Sequence, residues 1–200
     1  MISINQVSKI IKNQTILDAI DLVLKPGDFI MLHGHNGSGK TMLLRLICGL
    51  IQPSSGEIKS EMNEPRFGVI IENPTFFLNE TAFYNLKYLA SINKLITDDD
   101  IHAWLKRFNL YDMKDKKVKS FSLGMKQRLA LCQAFMEEPE ILLLDEPFNG
   151  VDDDNLAIIY EVLAEAKAKG KIIIIASHVK IPIDGLATKE IRMSDGKIVG

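Results

Sequence analysis

Residues Gly34-His35-Asn36-Gly37-Ser38-Gly39-Lys40-Thr41 fit the pattern G-x-x-x-x-G-K-[ST]. Glycines let backbone N–H groups turn inward around the β- and γ-phosphates of a nucleotide, where side chains would obstruct them. Lys40 supplies positive charge to those phosphates, and Thr41 offers a hydroxyl to Mg²⁺. The helix that follows directs its positive end at the anion. A magnesium nucleotide needs a further acid. Ile141-Leu142-Leu143-Leu144 leads into Asp145-Glu146 at a strand end. In open α/β sheets, ligands sit at the carboxyl ends of strands, the edge where the phosphate loop also lies. Asp145 is then placed to hold Mg²⁺ through water. Glu146, one residue on, can polarise an attacking water as general base. An apolar run before two acids is a weak pattern alone and becomes a strong one beside the loop.

The elements around these residues read as follows. Ile2 to Val7 alternates as a strand and Ile16 to Leu24 as another. Lys25-Pro26-Gly27-Asp28 is turn chemistry. Phe29 to His33 is a continuous apolar strand of the kind buried on both faces of a parallel sheet. Thr41 to Leu50 has helical apolar spacing. Pro53-Ser54-Ser55-Gly56 reads as a turn, Glu57 to Lys59 as a short strand, and Phe67 to Ile71 as a buried strand closed by Asn73-Pro74. Then come helices from Thr81 to Ile92, from an N-cap at Thr97, and from a cap at Ser122. Strand and helix alternate again after Pro139, through Ile141–Leu144, the amphipathic Asp153–Lys169 and Ile172–Ala176. The tail reads as a hairpin turning at Asp195-Gly196. This pattern predicts one α/β domain over residues 1–200. Residues 1–72 and 138–200 form the nucleotide-binding core, and 73–137 form an inserted helical subdomain.

Composition is that of an ordinary globular chain: 46% hydrophobic and 25% charged over 200 residues. Lys+Arg 24 against Asp+Glu 26 gives a net charge of −2, which argues against nucleic acid as a partner. The N-terminus has neither a basic start nor an apolar run, and the longest purely apolar stretch, around Ile172 to Ala176, is far below the about 20 residues of a membrane span. A cytosolic protein is expected, meeting a membrane only through a partner. Cys48 and Cys132 read as buried free thiols of a reducing compartment. With His33 and His35 flanking the loop, they do not supply the spacing of a zinc site.

Taken together, the chain resembles the ATP-binding subunits of ABC transporters over nearly its whole length, which implies a P-loop NTPase of ABC ATPase type. This fold has a mostly parallel central sheet, an N-terminal antiparallel β part and an inserted helical subdomain. Phe121-Ser122-Leu123-Gly124-Met125-Lys126-Gln127-Arg128 is similar to the family's signature motif. Asn149, Gly150, Val151 and Asp152, after Phe148, lie where its D-loop falls, and His178 in Ala176-Ser177-His178 resembles its switch histidine. The resemblance implies ATP and Mg²⁺ as cofactors, with Thr15 added to the ATP-binding set and His178 contacting the γ-phosphate and attacking water. It also implies a homodimer or paired ATPase subunit, each ATP lying between one copy's phosphate loop and the other's Ser122, and a separate transmembrane permease. Ser122 at a helix start can offer its hydroxyl and backbone N–H to a γ-phosphate, and Gly124 lets the backbone come close. Phe76, Phe77, Phe83 and Tyr84 are expected to line the groove that passes motion to the permease.

Four positions depart from the family's usual motifs. Glu72 stands in place of a glutamine that ordinarily touches Mg²⁺, and its carboxylate can still ligate while adding negative charge near the γ-phosphate. Leu123 and Met125 replace a glycine and a glutamine, and Ile11 lies near the usual adenine-stacking aromatic. Glu72-Asn73-Pro74 with the Ser122–Arg128 stretch resembles the peptide-antibiotic export and self-immunity branch, lantibiotic and bacitracin-type systems included. Two other readings compete. One is a soluble ABC-type ATPase acting on nucleic acid, for which the Glu72–Ser122 interval is too short to hold a long coiled coil. The other is a nucleotide-dependent binding module that hydrolyses little. Asn93-Lys94-Leu95-Ile96 lacks the acid of a guanine-reading motif.

Overall fold

The computed structural model describes residues 1–72, 75–178 and 185–199. Six strands form the central sheet, labelled here β3 (Phe29–His33), β5 (Phe67–Ile70), β6 (Ile141–Asp145), β7 (Ile172–Ser177), β8 (Lys189–Ser194) and β9 (Lys197–Ile198). Their order is β5-β6-β7-β3-β8-β9, parallel except for the last pair. The first two strands and the fourth, β1 (Ile2–Ile11), β2 (Gln14–Leu24) and β4 (Ser55–Ser60), form a separate antiparallel sheet in the order β2-β1-β4. The mostly parallel sheet and its antiparallel companion agree with the sequence reading.

Period-2 alternation divides the apolar strands between two cores. Phe29, Met31, Leu142, Leu144, Ile173 and Ile175 face the helices α2 (Ala82–Asn93), α3 (Asp98–Arg107), α4 (Leu123–Phe135) and α5 (Asp153–Ala168). Their neighbours Ile30, Leu32, Leu143 and Ile174 face the antiparallel sheet and α1 (Lys40–Ile47). Both faces of the sheet are therefore buried, which is why its strands read as unbroken apolar runs.

Several boundaries differ from expectation for definable reasons. β1 runs on to Ile11 and β2 starts at Gln14, joined by Lys12 and Asn13, both at positive φ (49° and 65°). This is a tight hairpin without the glycine that usually announces one. Register shifts after Ile4 and Val7 break the alternation, so the pattern fades before the strand ends. β4 begins at Ser55, inside the expected turn. α1 stops at Ile47, with Gly49 at φ 74°, short of Leu50. Cys132 is buried, whereas Cys48 is only partly so. Asn73-Pro74, expected to close β5, lies outside the described residues. Among the described residues, no helix is long and apolar enough to cross a membrane.

Candidate active site

The phosphate loop connects β3 to α1 at the carboxyl edge of the sheet. Gly39 caps α1 at φ 105°, a conformation closed to side chains, and a Cβ there would stand 2.7 Å from Leu17 Cδ2. The loop is braced from behind: Ser38 N donates to His35 O (3.1 Å), and Gly196 N, in the β8–β9 turn, donates to Ser38 O (3.1 Å). Ser38 is fully buried, while His35, Asn36 and Gly37 are exposed. Lys40 is only 6% exposed and donates through Nζ to Gly34 O (2.7 Å) and His35 O (3.2 Å). His35 Nδ1 meets Asn36 O at 2.9 Å.

Asp145 ends β6 directly beneath the loop, and Thr41 Oγ1 donates to its Oδ2 at 2.5 Å. Burial pushes the Asp145 carboxyl above its ordinary value; the Thr41 hydrogen bond opposes this, and the nearby Glu146 and Glu72 charges add to it. Glu146 and Glu72 follow β6 and β5, and both adopt positive φ (49° and 61°), costly for a side chain and sustained here by the surrounding contacts. Glu146 is held on each oxygen. Its Oε1 accepts from His178 N (2.8 Å) and meets His178 Nδ1 (2.6 Å), and its Oε2 accepts from Ser177 Oγ (3.2 Å). Glu72 pairs with Arg45 on α1 at 2.5 Å. An open cleft of about 400 Å³ brings Lys40, Thr41, Arg45, Glu72, Asp145 and Glu146 together, with Ile16 on its wall.

The signature stretch stands apart from this cleft. Ser122 caps α4, its Oγ accepting from Met125 N (3.2 Å), which leaves the hydroxyl proton to donate outward. Ser122 and Leu123 are exposed, and Met125 packs partly buried against the helical core. Gly124 lies so close to the segment after Glu146 that a Cβ would meet Gly150 O at 2.3 Å. Leu123 packs on Gly150 from the other side. The segment Asn149-Gly150-Val151-Asp152 is held by Asn149 N donating to Glu146 O (3.3 Å), and Asp152 caps α5 through Asn155 N (3.1 Å).

The structure thus gathers Lys40, Thr41, Asp145, Glu146, His178 and Glu72 at one sheet edge. It sets Ser122, Leu123, Gly124 and Met125 with residues 149–152 at another place. Thr15 is exposed on β2, paired with Ile10, while its neighbour Ile16 lines the cleft. Ile11 is exposed at the hairpin end of β1. Of the four aromatics expected along a groove, Phe76 is a core residue and Phe83 is partly buried, stacked on His102. Phe77 and Tyr84 are exposed. Sequence reasoning missed Arg45, which bears no motif signal toward Glu72. Ser177 and Gln127 stand inside stretches it singled out, yet nothing in the sequence pointed either of them at Glu146, whose carbonyl accepts from Gln127 Nε2 (3.4 Å).

This combination of sheet, loop and acids defines a phosphate-loop ATPase of the cassette type. The family model described as ABC transporter matches residues 17–149, and the chain belongs to that family as an ATP-binding, ATP-hydrolysing domain. It is 41% identical to the uncharacterized ABC transporter ATP-binding protein YybJ of Bacillus subtilis, over 99% of this chain and 94% of that one. It is 31% identical to the lantibiotic transport ATP-binding protein SrtF of Streptococcus pyogenes, over 100% and 89%. With the bacitracin transport ATP-binding protein BcrA of Bacillus licheniformis it shares 34%, over 100% and 68%. Among solved structures, the ATP-binding cassette MJ0796, described as dimeric and bound to ADP and Pi, superposes with a TM-score of 0.89. At 22% identity, over 100% of this chain and 97% of that one, it supports the fold.

Proposed function

We propose that two copies of this chain close around two magnesium-ATP, hydrolyse them and reopen, driving a separate membrane permease that exports a peptide antibiotic or similar amphiphile. The contact between Thr41 Oγ1 and the buried Asp145 carboxylate carries this reading. A hydroxyl and a carboxylate at the same point, beside the phosphate loop, are hard oxygen donors suited to magnesium. Thr41 and Asp145 would hold the ion, with Glu72 the third candidate oxygen. Magnesium, when bound, supplies positive charge against the β- and γ-phosphate oxygens.

The chain's own groups do the rest. Loop N–H groups and the α1 terminus receive the phosphates, and Lys40 turns its ammonium from the Gly34 and His35 carbonyls toward them. Glu146 takes the proton of the attacking water, with His178 and Ser177 fixing the carboxylate's orientation. His178, exposed at its strand end, faces the γ-phosphate side. Ser122 of the second copy donates its hydroxyl proton and backbone N–H to the γ-phosphate, closing the site from outside. Residues 149–152, lying on Gly124, join that closing surface to Glu146.

The permease reading draws on the exposed aromatic face of α2 and the segment before it. Phe77 packs edge-on to Tyr84 and Tyr88 at 6.3 and 5.1 Å, and all three are about half exposed. An apolar cluster of this kind marks a protein contact. Docked there, the chain sits on the cytoplasmic face of the membrane without entering it. Export of a peptide antibiotic is supported by the names of the SrtF and BcrA relatives together with the Glu72 and Ser122–Arg128 motifs.

The test is phosphate release by the purified chain and by E146Q, alongside ATP binding to both. Wild type is expected to hydrolyse, and E146Q to bind ATP while losing about 10²–10⁴-fold in rate, the general-base contribution. Equal rates in the two proteins would contradict the assignment, as would absence of ATP binding.

A further inference from the structure

One pair in the cleft is left unexplained by the phosphate loop and its acids. Arg45 lies one helical turn beyond Thr41 on α1, so the two side chains share a face. From there its Nη2 reaches Glu72 Oε1 at 2.5 Å, across 27 residues of sequence. Glu72 holds a positive φ two residues past β5, a conformation that fixes where its side chain leaves the backbone. Both residues line the same cleft as Thr41 and Asp145. Without Arg45, three carboxylates (Glu72, Asp145, Glu146) would line the cleft with Lys40 as the one lysine or arginine among its described residues.

We infer that Arg45 is a positioning residue: its guanidinium neutralises Glu72 and anchors it at the lip of the cleft, so a third acid stands beside Thr41 and Asp145 without repelling a magnesium triphosphate. The inference rests on the ATP-binding reading above. Its signature is dependence on Glu72. Arg45 matters because an acid is present opposite it, and an amide at that position removes the need. An arginine that met the phosphates directly would matter whichever side chain stood at 72. So would one that merely supported α1. Because Arg45 is about one-third exposed and Glu72 is exposed, the effect is a moderate one.

The experiment measures ATP binding by calorimetry, with magnesium and with EDTA, in the full chain carrying E146Q so that no turnover intervenes. E146Q is compared with E146Q/R45M, E146Q/E72Q and E146Q/R45M/E72Q. The R45M substitution is expected to weaken magnesium-ATP binding about three- to fivefold beside Glu72, and by less than about twofold when E72Q is also present. R45K, which keeps the charge, should stay within about twofold of its parent. Equal losses from R45M with and without E72Q, no loss at all, or a loss in R45K as large as in R45M would each overturn the inference. Should R45M not fold, the R45K comparison and the folding of R45M/E72Q decide it. Rescue by E72Q supports neutralisation, and failure of both doubly and singly substituted chains contradicts it. Failure of the E146Q parent itself to bind ATP would overturn the functional reading instead, which keeps the two failures apart.

Discussion

The phosphate loop and the start of α4 both present a helix N-terminus, yet they are built in opposite ways. At the loop, the side chains of Ser38, Lys40 and Thr41 are turned inward, and those of Lys40 and Thr41 are already hydrogen-bonded. Lys40 is buried on its own carbonyls, Ser38 is enclosed, and Thr41 is bonded to Asp145. At α4, Ser122 and Leu123 stand exposed, and among the described residues the Ser122 hydroxyl meets its own helix alone. The first surface is preorganised for a ligand by the chain that carries it. The second presents an exposed hydroxyl at a helix N-terminus, beside a leucine that is 61% exposed although its side chain lies against Gly150. The two are coupled in one molecule, because Gly124 rests on Gly150 and Gln127 reaches the Glu146 carbonyl. A half-site finished internally and a half-site left open fit a molecule whose active site is completed by a second copy.

Substitutions at the open end sharpen the contrast. The largest effect is expected from G124A. The new methyl would lie 2.3 Å from Gly150 O, a backbone atom with no rotamer by which to retreat. Residues 149–152 must shift, at about 1–3 kcal/mol in denaturant-measured stability, the usual range for overpacking. An unchanged denaturation midpoint would show the contact to be looser than the geometry states. A smaller effect is expected from S122A, which removes the α4 cap and lowers stability by about 1 kcal/mol. Its ATPase rate should fall by more than that loss accounts for, while ATP affinity of the separate chain stays unchanged, since Ser122 lies away from its own cleft. If affinity of the separate chain fell instead, the division between the two surfaces would fail.

How much of this was legible in the sequence depended on how far apart the partners lie. The loop, the run into Asp145-Glu146 and the Thr97 and Ser122 caps are contiguous, so residue type and spacing expose them. The β1–β2 hairpin was not legible: Lys12-Asn13 lacks glycine, and bulges interrupt the alternation that would have traced both strands. Neither was the pairing of Arg45 with Glu72, nor that of Gln127 with Glu146, since each joins residues that only the sheet brings together. The aromatic run shows the limit most plainly. Phe76 and Phe77 are neighbours of one type, yet the first is 8% exposed and the second 51%. Composition cannot divide them; the seating of Phe76 in the helical core, with the Phe77 backbone held by Asn85 of α2, does.

The most direct test of the two-copy site is the association state of E146Q, followed by sedimentation with and without ATP. The arrangement predicts a chain that stays monomeric without nucleotide and becomes a dimer holding one ATP per copy when ATP is added. It also predicts that S122A weakens this dimer. ATP bound stoichiometrically by a chain that remains monomeric at every concentration would contradict it.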